Sequence, residues 1–132
     1  MRRVLPVAPA FRALAFLAVA LVAVQLLLLP EPGFAERIVQ ATWDKLVHAS
    51  VFGGVAFLLW VGFDGRRAGL ICASVLLLGA LDETHQMFVP GRDPDLHDLY
   101  ADGLGAVAVL LFLQAVTSRR PIAAAAPLTC GD

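Results

Sequence analysis

The sequence predicts an all-α membrane protein, a four-transmembrane-helix bundle with both termini in the cytoplasm, and three observations carry that reading. The first is composition. Of 132 residues, 59% are hydrophobic and only 16% charged, too apolar for an ordinary soluble domain of this size. The charges are also segregated from long apolar stretches, as expected when lipid is the solvent. The second is length: apolar segments cover Ala13 to Leu29, Leu46 to Phe63, Ala68 to Val89 and Leu96 to Val116. Each approaches the ~20 residues a helix needs to cross a bilayer, the last two only when polar residues near one end are included. Lipid offers backbone groups no partners, so helices are the expected form. The third is the distribution of Lys and Arg. With four spans, the termini and the loop between spans two and three share a side, which carries Arg2, Arg3, Arg12, Arg66, Arg67, Arg119 and Arg120. The other side carries only Arg37, Lys45 and Arg92. The positive-inside rule places the richer side, and both termini, in the cytoplasm.

The elements follow in order. Residues 1–12 form a cytoplasmic N-terminus. Met1-Arg2-Arg3 ahead of an apolar run resembles a signal peptide. The run is longer than the usual signal core, however, and ends in Leu-Leu-Leu-Leu-Pro without a small-x-small site. It is therefore read as a retained span. Glu31-Pro32-Gly33 opens an outer loop, and Thr42 stands as the cap of span two with Asp44 in its first turn. Phe63-Asp64-Gly65-Arg66-Arg67 is a tight turn, which makes spans two and three an antiparallel hairpin. Pro90-Gly91 breaks span three, and Asp93-Pro94 reads as an N-cap followed by proline at the first helical position. Trp43, Trp60 and Tyr100 fall near span ends, where amphipathic rings favour the interface. Gly53, Gly54, Gly79, Gly103 and Gly105 permit close helix packing. The membrane domain thus covers 13–118, and residues 119–132, rich in Ala and Pro from Pro121 onward, read as a disordered cytoplasmic tail.

Several function classes drop out. A formal net charge of −1 lacks the basic footprint of a nucleic-acid binder. No glycine-rich phosphate loop follows a strand pattern. Cys72 and Cys130 lie in different environments and suggest no disulfide framework; Cys72 reads as a small apolar residue.

The polar residues within the spans are the informative ones. A rise of 1.5 Å per residue puts Asp82 roughly 21 Å above Ala68, His48 roughly 22 Å above Phe63 and Asp102 roughly 21 Å above Val116. In a core of ~30 Å, three spans therefore present polar side chains at one level, in the outer third of the membrane. Ionisable residues at such depth are costly and point to a functional site. Spacing agrees: Asp44 with His48, Asp82 with Gln86 and Asp98 with Asp102 are four apart, and Lys45 with His48 and Glu83 with Gln86 are three apart. Residues so spaced share a helix face. Lys45 and Arg92 supply the positive partners that buried acids need.

Asp44, His48, Asp82 and Glu83 are the candidate acid-base residues, and Lys45, Gln86, Arg92, Asp98 and Asp102 the candidate binding residues. Adjacent acids are not expected to point the same way on a helix, so one of Asp82 and Glu83 should face the bundle and the other a loop or the interface. Asp44, His48, Asp82, His85 and Asp98 are ligand types for a divalent ion. Without a short ligand motif, and with Lys45 beside them, no metal and no cofactor are expected. Ser50 and Thr84 lie near these residues by count, but nothing marks either hydroxyl as activated.

Asp44-Lys45-x-x-His48, Asp82-Glu83-x-x-Gln86, Pro90-x-Arg92 and Asp98 resemble the signature of VanZ-like membrane proteins, over a stretch from Trp43 to Leu111. The resemblance implies a small multi-helix bacterial membrane protein of the cell envelope, in a family whose namesake is associated with resistance to the glycopeptide teicoplanin. This chain departs from the pattern at Asp102, where the family commonly has asparagine; an added acid there either alters the site's charge or faces the headgroups. His85 and His97 are not part of the signature.

Two functions compete. One is a non-catalytic envelope protein of the bacterial inner membrane, whose outward polar site takes a membrane lipid headgroup, a lipid-linked cell-wall precursor or an envelope protein. The alternative is an enzyme using His48 with Asp44, Asp82 or Glu83 as acid and base on a lipid-linked substrate. Proton-coupled transport ranks third: four short spans would need a homo-oligomer to form a pathway, and no acid lies in the inner half of any span.

Overall fold

A computed structural model of the chain describes residues 6–28, 41–89 and 94–118, apart from the side chains of residues 41, 42 and 44. Four helices follow one another: α1 (Pro9–Leu28), α2 (Ala41–Gly62), α3 (Ala68–Gln86) and α4 (Leu96–Ser118). There is no strand among the described residues, and each helix is long and apolar enough to cross a membrane. The cytoplasmic tail expected at 119–132 lies outside the described residues.

The boundaries differ from expectation where local chemistry overrides apolar content. α1 starts at Pro9, four residues before Ala13, because proline's fixed φ suits a helical first position. α2 starts at Ala41, so Thr42 lies inside its first turn and does not precede it. α3 stops at Gln86, short of Val89; Phe88 and Val89 donate their N–H groups to the carbonyls of His85 and Gln86, three residues back, in a closing turn. α4 runs on to Ser118, past Val116.

The α2–α3 connection is the tight turn the sequence indicates. The Gly65 N–H donates to the Trp60 carbonyl at 2.9 Å and the Asp64 N–H to the Val61 carbonyl at 3.1 Å. This 6→1 and 5→2 pair is a Schellman motif. Asp64 occupies its left-handed position with φ 57, a conformation that aspartate tolerates better than most residues. Its side chain works as well, since Oδ1 accepts the Val7 N–H at 2.7 Å, and Arg12 Nε donates to the Gly62 carbonyl at 2.9 Å. The start of α1 is thereby tied to the α2–α3 turn. The first turns of α2 and α4 and the last turn of α3 gather at the opposite end.

α2 is the central helix, packing on α1, α3 and most extensively on α4. A Cβ added to Gly105 would sit 2.1 Å from the Ala49 carbonyl oxygen, so α2 and α4 approach as closely as they do only because Gly105 has no side chain. Gly54, by contrast, faces open space. The apolar core lies in the half of the bundle away from the polar residues, built from Phe52, Val55, Leu59, Trp60, Ile71, Val75 and Leu110 among others. Trp60 corrects an expectation. It is 8% exposed, and its indole packs under Gly65, so it closes the core beneath the turn and does not anchor the interface. Trp43 and Tyr100 are exposed, at 62% and 70%. Cys72 packs partly buried against the core.

Large apolar side chains, including Leu14, Leu17, Leu21, Leu77, Leu104, Leu111 and Phe112, stand exposed along the helices. A soluble monomer rarely carries so continuous an apolar surface. The chain is a multi-pass membrane protein.

Candidate functional site

The site is assembled at one end of the bundle from α2, α3 and α4. It begins with the cap of α4. Asp95 Oδ1 accepts the His97 N–H at 2.9 Å, and the Asp95 carbonyl accepts the Asp98 N–H at 2.9 Å. That geometry makes Asp95 the N-cap. The cap is therefore two residues later than the Asp93-Pro94 reading, because Asp95 has both the helix start and a second partner to satisfy. Asp93 itself lies outside the described residues. The His97 N–H, then the Lys45 ammonium and the His97 ring, hold the Asp95 carboxyl well below the usual carboxylate range.

Lys45, on the first turn of α2, donates to Asp95 Oδ2 and to Asp98 Oδ1, both at 3.0 Å. It clamps α2 to the start of α4. Its side chain is 40% exposed and that of Asp98 only 7%, so the clamp lies at the rim with one buried acid beneath it.

One turn deeper, His48 Nδ1 lies 3.0 Å from Asp102 Oδ1. Asp102 is completely buried. Asp102 therefore does not face headgroups; it is a direct partner of His48. Its second oxygen, Oδ2, has no hydrogen-bond partner and lies where a Cβ on Gly79 would come within 2.5 Å. Gly79 leaves the room on α3 in which this carboxylate sits. The His48 ring also stacks on Phe52, with centroids 6.1 Å apart and planes 9° from parallel.

α3 completes the site. Gln86 Nε2 donates to Asp82 Oδ2 at 3.0 Å, with a longer contact of 3.5 Å to Glu83 Oε1. Glu83 Oε2 accepts the Asp95 N–H at 2.8 Å. Asp82, Glu83 and Gln86 are all buried, and the adjacent acids diverge, Asp82 towards Gln86 and Glu83 towards the connection ahead of α4. Their directions differ by about 100° on a helix. Gln86, a turn later, bridges both acids, and the longer Glu83 side chain swings to the backbone N–H of Asp95, just ahead of α4. His48, Asp82 and Glu83 each offer a ligand atom, and these atoms lie within 4.8 Å of one another.

Of the residues singled out from sequence, Lys45, His48, Asp82, Glu83, Gln86, Asp98 and Asp102 are brought together. Arg92 lies outside the described residues, as does the Asp44 side chain, although Asp44 sits in the first turn of α2 one residue before Lys45. Ser50 and Thr84 donate to the carbonyls of Leu46 and Ala80, four residues back in their own helices. One participant escaped the sequence reading: Asp95 carried a usable signal, an acid directly before the α4 apolar pattern. Gly79, read as a packing glycine, makes room for the Asp102 carboxylate.

The comparisons with known proteins decide the family. The VanZ/LLP1 family model matches residues 11–117. The chain belongs to the VanZ/LLP1 family. The match reaches back across α1, beyond the Trp43 to Leu111 stretch that carries the motif resemblance. No curated protein and no solved structure matches the chain. Within this VanZ/LLP1 chain, the matched region contains all four helices nearly whole and every side chain of the site.

Proposed function

We propose that this VanZ/LLP1 protein sits in the bacterial inner membrane with both termini cytoplasmic, and that its polar end, on the outer side, binds the headgroup of a membrane lipid or lipid-linked cell-wall precursor. The carrying observation is a set of buried polar side chains from three helices, His48, Asp82, Glu83, Gln86, Asp98 and Asp102, at one end of an otherwise apolar bundle. Burying so many polar groups is costly when a Leu-rich interface would pack helices in lipid without them. Paired and bridged groups at interfacial depth suit a polar headgroup whose tail lies along the exposed apolar faces. The orientation rests on the excess of Arg on the other side. A link to glycopeptide susceptibility is the family-level expectation.

Lipids co-purifying with the protein test this reading by mass spectrometry. Wild type is expected to carry a defined lipid class that Asp82→Asn and Gln86→Leu lose, with equal membrane abundance. Identical lipid profiles in all three would refute headgroup binding at this site.

A second reading, acid-base chemistry on such a lipid, is favoured by the His48–Asp102 pair. An acid on Nδ1 fixes the tautomer and orientation of an imidazole whose Nε2 then exchanges protons. Turnover of a lipid-linked substrate lost in both His48→Gln and Asp102→Ala, but kept in Asp98→Asn, would favour it over binding alone.

A further inference from the structure

We infer that His48, Asp82 and Glu83 form a binding site for a divalent transition-metal cation of the zinc type, with protein ligands from α2 and α3 and open positions facing the polar end. Three observations carry this. The first is donor chemistry and reach. One imidazole and two carboxylates are a suitable ligand set for such an ion, and their ligand atoms already lie within 4.8 Å of one another. In a tetrahedral site with bonds of about 2.1 Å, donors stand about 3.4 Å apart, so the three side chains would draw together on the ion.

The second is the outer layer. Ligands of a metal are generally oriented by a further ring of hydrogen bonds. Here His48 is held through Nδ1 by Asp102, Asp82 by Gln86 and Glu83 by the Asp95 N–H and Gln86. A carboxylate on one ring nitrogen is a usual second partner of a metal-bound histidine, and it leaves the other, Nε2, for the ion.

The third is charge. Asp102 is fully buried, with His48 on one oxygen and no hydrogen-bond partner on the other. Lys45, the cation whose proximity argued against a metal, is committed to Asp95 and Asp98 at 3.0 Å each. It is spent on the rim and does not reach the trio through those bonds. A divalent cation on His48, Asp82 and Glu83 would draw positive charge onto the imidazole that faces the buried Asp102 carboxylate. It would also give an acid-rich site the means to attract an anionic headgroup. The metal site itself does not depend on the headgroup reading.

Full-length protein purified in detergent, without added lipid, and dialysed against Zn²⁺ provides the test, read by elemental analysis and by the visible absorption of Co²⁺ put in its place. Wild type is expected to retain one metal per chain. Glu83→Gln and Asp82→Asn, which preserve shape, are expected to lower affinity at least tenfold, and Asp102→Asn ten- to a hundredfold through the outer layer. His97→Ala removes an exposed histidine paired with Asp95 and is expected to change nothing. Circular dichroism confirms the fold of each variant. Failure of folded wild type to retain metal, or retention equal to wild type in both Glu83→Gln and Asp82→Asn, would overturn the inference. The readouts report the metal and its ligand field, not lipid, so neither outcome bears on headgroup binding.

Discussion

Asp102 is the residue on which the site turns. At zero exposure its carboxylate is matched by His48 through one 3.0 Å bond, and neither group can turn to water when the other is removed. Leaving a buried polar partner unmet costs about 1–3 kcal/mol. Asp102→Ala should therefore lower stability by about that amount, read from thermal unfolding in detergent. Asp102→Asn, with an oxygen still able to accept from Nδ1, should lose less. Equal stability of Asp102→Ala and wild type would mean the pair contributes nothing. At the rim, Asp95 makes a different prediction. Its donors favour the ionised form, so its carboxyl titrates below an ordinary aspartate. The sign follows from linkage: the cap's contribution is present above the unfolded midpoint of ~3.9 and fades only as pH falls towards the depressed folded one. Carboxyl chemical shifts followed through an acid titration should show an Asp95 midpoint below 3.9; a midpoint at or above that would remove the cap and Lys45 as effective partners.

At the scale of the helix, the shared level of the polar residues was legible from counting, and the way each helix is rotated was not. Apolar length identified all four helices because a bilayer imposes a minimum, and spacing put Lys45, His48, Asp82, Gln86, Asp98 and Asp102 at one level. Whether Asp102 faced His48 or the headgroups depended on the close approach of α2 to α4. That approach is set by Gly105 against Ala49, a contact that no period within one helix reveals. Trp60 was misplaced for the same reason: a tryptophan near a helix end reads as an anchor until the Schellman turn folds over it. Gly105→Leu should push α2 and α4 apart, costing about 1–3 kcal/mol as overpacking does and separating His48 from Asp102. Gly54→Ala, into open space, should be tolerated. If the two variants unfold alike, close packing at Gly105 does not support the site.

Across the whole molecule, the polar end and the α2–α3 turn lie at opposite ends of the bundle, and orientation decides which of them meets the outside. The orientation proposed from the Arg distribution puts the turn, with Arg66 and Arg67, in the cytoplasm. In a chain with Cys72 and Cys130 replaced, a membrane-impermeant maleimide should label Leu96→Cys in intact cells. Arg66→Cys should label only after permeabilisation. The reverse pattern would put the site inside and end any role for it on outward substrates. Family membership and four membrane-length helices were both legible from sequence, through ordered motifs and apolar length. The identity of a ligand is not, because polar residues gathered at one level fit a headgroup, a metal ion or a partner alike.

The most direct measurement is glycopeptide susceptibility of cells carrying His48→Ala, Asp82→Asn, Glu83→Gln and Asp98→Asn, scored beside the membrane abundance of each variant. A working site at the polar end requires susceptibility to change while abundance stays near wild type. Wild-type susceptibility throughout, or changes that only track lost abundance, would show these residues to be a structural polar contact between helices and contradict a functional site.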